Sequence, residues 1–478
     1  MLNPVRQSAI YCRSDVPSRS HVANRDETPL LPEQFQYKWQ WCLLALLLIS
    51  APAQANETLL TLYQAALQYD AQYRSSAANL QADQEEVNKA RALFYPKVQL
   101  SGSVGRGNTD RISQTQLGEV ETKFNYNTQN LALSVRQPLF NQETAATYKS
   151  AQALVKAREA LFENETSTLI TRLAGAYFEL LYAQEKIAVL SNKMAALQQQ
   201  LEQANQRYQH GAGTITEISE AQASLDIARA ELVEANNAAD TFQLSLRNMT
   251  GHQAFVLAKL NTEKTAVIES KIGQLQDWLN TAQHNNPEIS AAQHALELAE
   301  QEVEKKKAGH YPTLDLVGAR SYSKNDSNNT LGSQFDSTTV ALQFNLPLYA
   351  GGYVDASVRQ SLDKVSAAKE ELDLKVRATN ANIQKYFLHL QNEVQTIEAY
   401  RQAVKSSITA LDGTTKSFKG GLRTNIDVIN AQQRLYENQL KLSQSHYVLV
   451  NDFVNIQHFA GQLNEAQLQD LNQFFVLN

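Results

Sequence analysis

The sequence predicts an α+β fold in which one unit is used twice, a hairpin of strands followed by a hairpin of very long helices. Three observations carry this reading. Proline is scarce beyond the N-terminal stretch, the same punctuation recurs at a nearly constant offset, and apolar residues keep a sustained seven-residue spacing.

Of ten prolines in 478 residues, Pro4, Pro17, Pro29, Pro32 and Pro52 all precede residue 56. Only Pro96, Pro138, Pro287, Pro312 and Pro347 follow. Their share is about 1%, against a usual level of roughly 5%. Proline removes a hydrogen bond and clashes inside a helix, so 139–286 and 348–478 can be helical almost throughout. A sandwich of many strands or a run of βαβ units is excluded.

The first element is 41–49, the longest apolar run, too short to span a bilayer. It follows Lys38 and precedes Ala53-Gln54-Ala55, the small-x-small pattern of a secretory signal peptide, expected over 1–55. Cleavage there removes both cysteines, Cys12 and Cys42, which suits an exported chain without disulfides. The remainder carries a net charge of -7 and no basic block, so nucleic acid is not an expected partner.

The repeat comes next. Tyr95-Pro96 recurs as Tyr311-Pro312, and Gln137-Pro138-Leu139-Phe140 recurs as Leu346-Pro347-Leu348-Tyr349. Gly211, Thr214, Glu217, Ala221 and Leu225 recur as Gly421, Thr424, Asp427, Ala431 and Leu435. We divide the chain into a first repeat, 56–265, and a second, 266–478. Their strand hairpins are expected at about 97–137 and 313–346, and their helical hairpins at about 141–250 and 351–460.

Between the paired prolines apolar residues alternate. Val98, Leu100 and Val104 face one way, as do Leu131, Leu133 and Val135; the second copy has Leu314 and Leu316, then Val340, Leu342 and Phe344. Strands of about nine residues are expected, long enough for a tilted membrane barrel. The polar stretches 106–129 and 321–337 read as exposed loops. Gly102-x-x-Gly105-x-Gly107 falls in the first strand and does not match a phosphate loop.

Elsewhere the pattern is coiled coil. Leu173, Ala176, Leu180, Ala183, Ile187, Leu190, Met194, Leu197, Leu201 and Ala204 keep strict 3/4 spacing. Ile383, Tyr386, Leu390, Glu393, Ile397, Tyr400, Val404, Ser407, Leu411, Thr414 and Phe418 repeat it, with a few polar breaks. Glycines end each run, and return helices follow. Pro287 fits a helix first turn. With Trp278 and the C-terminal tail, it belongs to a segment expected to form a belt around the helices.

Four strands cannot close a membrane barrel alone, and an open sheet edge in lipid leaves backbone groups unsatisfied. Several chains must pool strands. Strand number alone allows eight from two chains or twelve from three. Tyr95, Phe140, Tyr311, Phe344 and Tyr349 sit where an interfacial aromatic belt would lie. The competing reading is a periplasmic or cytosolic coiled-coil scaffold with no pore, which needs neither an export signal nor strand hairpins.

The paired Tyr-Pro corners, the segment Gly309-His310-Tyr311-Pro312-Thr313-Leu314-Asp315-Leu316, the turn Gly421-Leu422-Arg423-Thr424-Asn425-Ile426-Asp427-Val428 and the tail Leu463-Asn464-Glu465 together resemble the TolC-type outer-membrane efflux family, the outer membrane factors. The resemblance covers nearly all of the chain beyond the leader. It implies an α+β membrane protein assembled as a homotrimer, with a twelve-stranded barrel in outer-membrane lipid and a twelve-helix periplasmic tube closed at its lower tip. It also implies docking to a periplasmic adaptor (membrane fusion) protein and an inner-membrane RND or ABC transporter, for export of drugs, toxic compounds or, by type I secretion, proteins.

By the same resemblance the gate network comprises Thr216, Glu217, Phe418 and Arg423, with Arg423 tied to the acid at Glu217 on a neighbouring helix. Glu217 replaces the usual Asp, and Phe418 lacks the hydroxyl of the family's Tyr. The competing local reading pairs Arg423 with Asp427 one turn on. Asp427 and Asn430 are expected at the pore constriction. Asp427 supplies a carboxylate ring, while Asn430 stands where a second acid is common. Pro96, Pro138, Pro312 and Pro347 mark the strand-to-helix corners. No enzyme activity, cofactor or metal is expected, because His284 and His294, like His446 and His458, are not at ligand spacing.

Overall fold

The computed structural model describes residues 57–253, 255–325 and 332–476. The expected signal peptide lies outside them. Helices α1 (Leu59–Tyr69) and α2 (Ala71–Ala92) lead into strands β1 (Lys97–Thr115) and β2 (Gly118–Phe140). Helix α3 (Gln142–Gln209) follows, then α4 (Ile215–Thr250), strand β3 (Lys259–Leu260) and helices α5 (Ala266–Ile272), α6 (Leu275–Asn285) and α7 (Pro287–Lys307). The second copy has β4 (Thr313–Asn325), β5 (Ser333–Asn345), α8 (Tyr353–Lys419) and α9 (Asn425–Phe459). Helix α10 (Glu465–Asn472) and β6 (Phe475–Val476) complete it.

At 68 and 67 residues, α3 and α8 are each about 100 Å long. Shorter helices pair off beside them. Near the strands the neighbours run α2–α3–α7–α8, and toward the far end α4–α3–α9–α8. Each level of the chain is therefore four helices wide.

The two levels join at equivalent places in the two copies. Asp70 caps α2 by accepting from the Tyr73 amide at 2.8 Å, and Asn286 caps α7 by accepting from Ile289 at 3.0 Å. Beside them α4 ends at Gly251 (φ 75°), whose missing Cβ leaves room for the Tyr69 ring. Likewise α9 is followed by Gly461 (φ 69°), seated against the backbone of Asn285. A side chain at either glycine would collide as well as strain the left-handed backbone. Arg172 bonds both Asp70 oxygens, at 3.2 and 3.3 Å, stitching the first joint to α3.

The main core lies at these joints. Leu169, Ile170, Leu173, Tyr177 and Phe178 of α3 meet Val450, Phe453 and Val454 of α9 and Phe474 and Phe475 of the tail. There β3 pairs with β6 antiparallel, and the buried Trp278 indole donates to the Ile272 carbonyl at 2.6 Å. A smaller core, with Leu197, Leu201, Ala221, Leu225, Ala228 and Ile429, sits farther down.

The strands form one antiparallel sheet in the order β1-β2-β4-β5. They are longer than expected. β1 and β2 run 19 and 23 residues and stay paired to Thr115↔Gly118. Most of the expected loop at 106–129 is therefore ladder, as are 321–325 and 333–337 of the other. Composition misled here, because a hairpin ladder is closed by backbone hydrogen bonds whatever the polarity of its side chains. The glycines of the first strand make space. Gly107 lies under the Tyr126 ring, and the Tyr126 hydroxyl meets Thr109 Oγ1 at 3.4 Å.

Pro138 also differs from expectation, lying inside β2 instead of at its end. The β2–β4 register shifts between Pro138 and Phe140, an irregularity of the kind beside which a residue without an N–H is tolerated in a strand. Pro96, Pro312 and Pro347 flank strands just outside the ladder.

Candidate functional site

Two regions are candidates for function, the sheet and the far helical tip. In the sheet, register sorts the side chains onto two faces. Val98, Val135, Gly318 and Val340 lie side by side, as do Leu316 and Leu342, and Leu314 and Phe344. This face is apolar and exposed. The other carries Ser101, Ser103, Ser134, Ser321 and Ser337, with Ser323 Oγ donating to Asn130 Oδ1 at 2.8 Å. Its base is held by Arg136 of β2 and Asp315 of β4, 2.5 Å apart.

The apolar band is not perpendicular to the strands. It spans Val98–Val104 on β1 but Val340–Phe344 on β5, a drift of about 17 Å along the ladder across about 14 Å of sheet. That is a tilt near 50°, close to the roughly 35–45° of membrane barrels. Both outer strands, β1 and β5, have one unpaired edge among the described residues.

At the tip, the two turns are copies. After α3 the Ala212 amide donates to the Arg207 carbonyl at 2.9 Å, and after α8 Leu422 does the same to Ser417 at 2.9 Å. Gly211 and Gly421 supply the left-handed residue, with φ 72° and 77°. Thr214 then caps α4 by accepting from the Glu217 amide at 3.2 Å. At α9 the cap is reversed: the Thr424 amide and hydroxyl donate to Asp427 at 2.9 and 2.8 Å.

These contacts place the expected gate residues. Arg423 meets Asp427 at 3.7 Å, and no Arg423–Glu217 ion pair occurs among the described residues of one chain. Thr216 is exposed in the first turn of α4. Glu217 is half-buried, with an enclosed Oε2 that finds no donor among them. Asp427 is held below the usual carboxylate range by its bonds from Thr424, helped by Arg423. With Asn430, Arg423 and Arg434 it lines a cleft of about 190 Å³ against Ser407, Ala410 and Thr414 of α8. Two guanidinium groups thus share this cleft with one carboxylate.

Sequence reasoning missed two arginines. Arg434, one turn beyond Asn430, was legible from i,i+4 spacing. The Arg207 guanidinium lies 4.8 Å from the Phe418 ring centre and donates to the Ala212 carbonyl at 3.1 Å. Its partner sits on another helix, so no spacing could reveal it. The Phe418 ring presents its face to that cation.

The four singled-out histidines have local partners. His446 meets Thr265 at 3.0 Å, His458 meets Ser167 at 2.8 Å, His284 the Asn280 carbonyl and His294 Glu297. Among the described residues no group of three metal-ligating side chains gathers. No helix among them is long and apolar enough to cross a membrane.

A sheet with an outward apolar band, joined to helices about 100 Å long, defines a membrane-anchored helical duct. The chain matches the family model described as outer membrane efflux protein over residues 62–252 and 278–462, and it belongs to that family. The two matched segments begin 216 residues apart and end 210 apart, which is the internal repeat again.

The chain is 28% identical to the alkaline protease secretion protein AprF of Pseudomonas aeruginosa, covering 91% of each. It is 29% identical to the outer membrane protein TolC of Escherichia coli, covering 87% of this chain and 84% of that one. In fold it matches the outer membrane protein VceC of Vibrio cholerae with a TM-score of 0.70 at 21% identity, covering 84% and 96%. The protein is an outer-membrane exit duct with a large periplasmic part. Its family is one of transport proteins, not enzymes.

Proposed function

We propose that three copies pool their sheets into a twelve-stranded barrel and their helices into a twelve-helix periplasmic tube, which passes toxic compounds and secreted polypeptides out of the cell. The observation that carries this reading is the unfinished edge of the single chain. Among the described residues two strand edges are unpaired, and α8 buries only Ser361, Thr379, Ile383, Phe387, Leu390 and Ile397, against twenty-five residues of α3. Leu362, Leu374, Leu388 and Ile408 of α8, with Ile215, Ile227 and Val233 of α4, stay about half exposed. Those two helices bound the lower level, so a second copy placed edge to edge covers both.

In such a ring Glu217 comes opposite Arg423 of the next protomer, and its Oε2 gains a donor that none of the described residues of one chain supplies. Thr216 and Phe418 flank that latch, and Asp427 with Asn430 lines the opening. The tail and 257–285 form a belt outside the tube. A periplasmic adaptor and an inner-membrane RND or ABC transporter deliver cargo to the tip. The protease-secretion relative favours polypeptides as one cargo.

Removal of Cys12 and Cys42 leaves no native thiol, which makes the test clean. Glu217→Cys with Arg423→Cys is expected to yield oxidised ladders ending at three chains in the outer-membrane fraction. A ladder ending at two, or a link confined to one chain, overturns the arrangement. Loss of protein secretion and gain of drug sensitivity in a deletion strain tests the cargo.

A further inference from the structure

The outward face of the sheet carries cations at one defined height. On β1 the outward series Val98, Leu100, Gly102, Val104 is followed by Arg106; on β4, Leu314, Leu316, Gly318 is followed by Arg320, Tyr322 and Lys324. From the corner tyrosine to the first outward cation is eleven residues on β1, Tyr95 to Arg106, and nine on β4, Tyr311 to Arg320. At about 3.4 Å per residue and a tilt near 45° that is about 22–26 Å, the height of the apolar band of a membrane barrel. The boundary lies on the side away from the helices, hence at the outer leaflet.

We propose that Arg320 and Lys324 bind a phosphate group on a lipid of that outer leaflet. This rests on the barrel reading above. The two side chains flank Tyr322 on one face of β4. Arg320 is 69% exposed and donates to Asp336 of β5 at 3.1 Å, which fixes the guanidinium plane while leaving other N–H donors free to turn outward. Planar guanidinium groups suit phosphate oxygens.

The residues paired with Arg320, Tyr322 and Lys324 on β2 are Leu133, Leu131 and Gln129, so the site is apolar below and polar above. A lipid satisfies both halves, with acyl chains along Leu133, Leu316 and Leu342 and a phosphate at the cations. A free phosphate satisfies only the upper half. Arg320 and Lys324 outnumber Asp336, so the local charge favours an anion.

The test uses whole protein reconstituted in phosphatidylcholine vesicles containing a minor fraction of bisphosphorylated lipid A, with lipid A retained per chain after detergent extraction as the readout. Arg320→Gln with Lys324→Gln is expected to lower retention about tenfold, the scale of one lost charge-assisted hydrogen bond. Asp336→Asn should raise it, and inorganic phosphate should not displace the lipid. Lys123→Gln, which removes one positive charge higher on the hairpin, should leave it unchanged. Equal retention in the double variant, equal loss in Lys123→Gln, displacement by phosphate, or no gain in Asp336→Asn overturns the proposal. Should the double variant fail to assemble, Asp336→Asn decides by its opposite sign. The cysteine ladder, run on each variant, separates failure of this site from failure of the barrel.

Discussion

Arg136 and Asp315 join the two copies of the repeat, their side chains 2.5 Å apart across β2 and β4 where the sheet meets the helices. The pair is lopsided. The Asp315 side chain is 6% exposed and that of Arg136 58%.

Removing the two partners should therefore cost different amounts. Arg136→Ala strands an enclosed carboxylate and is expected to destabilise by about 3 kcal/mol. Asp315→Asn leaves an arginine that water can reach, and should cost nearer 1 kcal/mol. Resistance of the assembled protein to heating, read as loss of the folded band on gels, ranks the two. The reverse order would show that the pair is not set by burial.

The tip makes a prediction about conductance. If Arg423 served only Asp427 of its own turn, Arg423→Ser would leave the closed entrance as it is, since an exposed local pair is weak. In the proposed ring it holds Glu217 of the neighbour, so the serine variant should conduct more than wild type in planar bilayers. Unchanged conductance sinks the latch.

Asn430 should make the constriction a poor cation site. Asp427 stands alone there, and Arg434 and Arg423 share its cleft. Asn430→Asp adds one charge per chain, three in a trimer, and should tighten block by a trivalent cation about tenfold, from three net Coulomb contributions of about 0.5 kcal/mol each. Block as tight in Asn430→Ala as in Asn430→Asp would refute it.

Acidity should act oppositely on two buried groups. Burial raises Asp452 to about 6, with Glu393 adding to the rise and His389 and Lys385 opposing it. The folded chain then holds a proton that the unfolded chain releases, so this group's contribution falls as pH rises from about 4 to about 6. Asp452→Asn should stabilise by roughly 2–3 kcal/mol at pH 7 and by little at pH 4. Burial lowers His446 to about 4, with Arg401 adding to it. Its contribution is intact above its usual value and lost as pH falls toward 4. Helical circular dichroism against denaturant, at both pH values, checks both signs.

Much of this fold was legible because it is periodic. The heptads of α3 and α8, the glycine turns at Gly211 and Gly421 and the strand alternation at Val98–Val104 are local patterns with local causes. The extent of the hairpins was not legible. Asn108, Thr109 and Asp110 have loop composition but lie in a ladder with Phe124, Lys123 and their neighbours, because the partner strand, not the side chain, supplies the hydrogen bonds. At the tip, Arg423 and Asp427 were readable as i,i+4 neighbours, whereas Arg207 over Phe418 joins residues 211 apart.

The sequence by itself determined the duplication, the helix lengths and the exposed apolar alternation, since each follows from backbone sterics or the period of a single element. Only the tertiary structure decided which strands are neighbours, how the apolar band tilts across them and which edges stay unpaired. Those depend on register between segments up to two hundred residues apart, where small shifts exchange faces or heights without altering any local pattern.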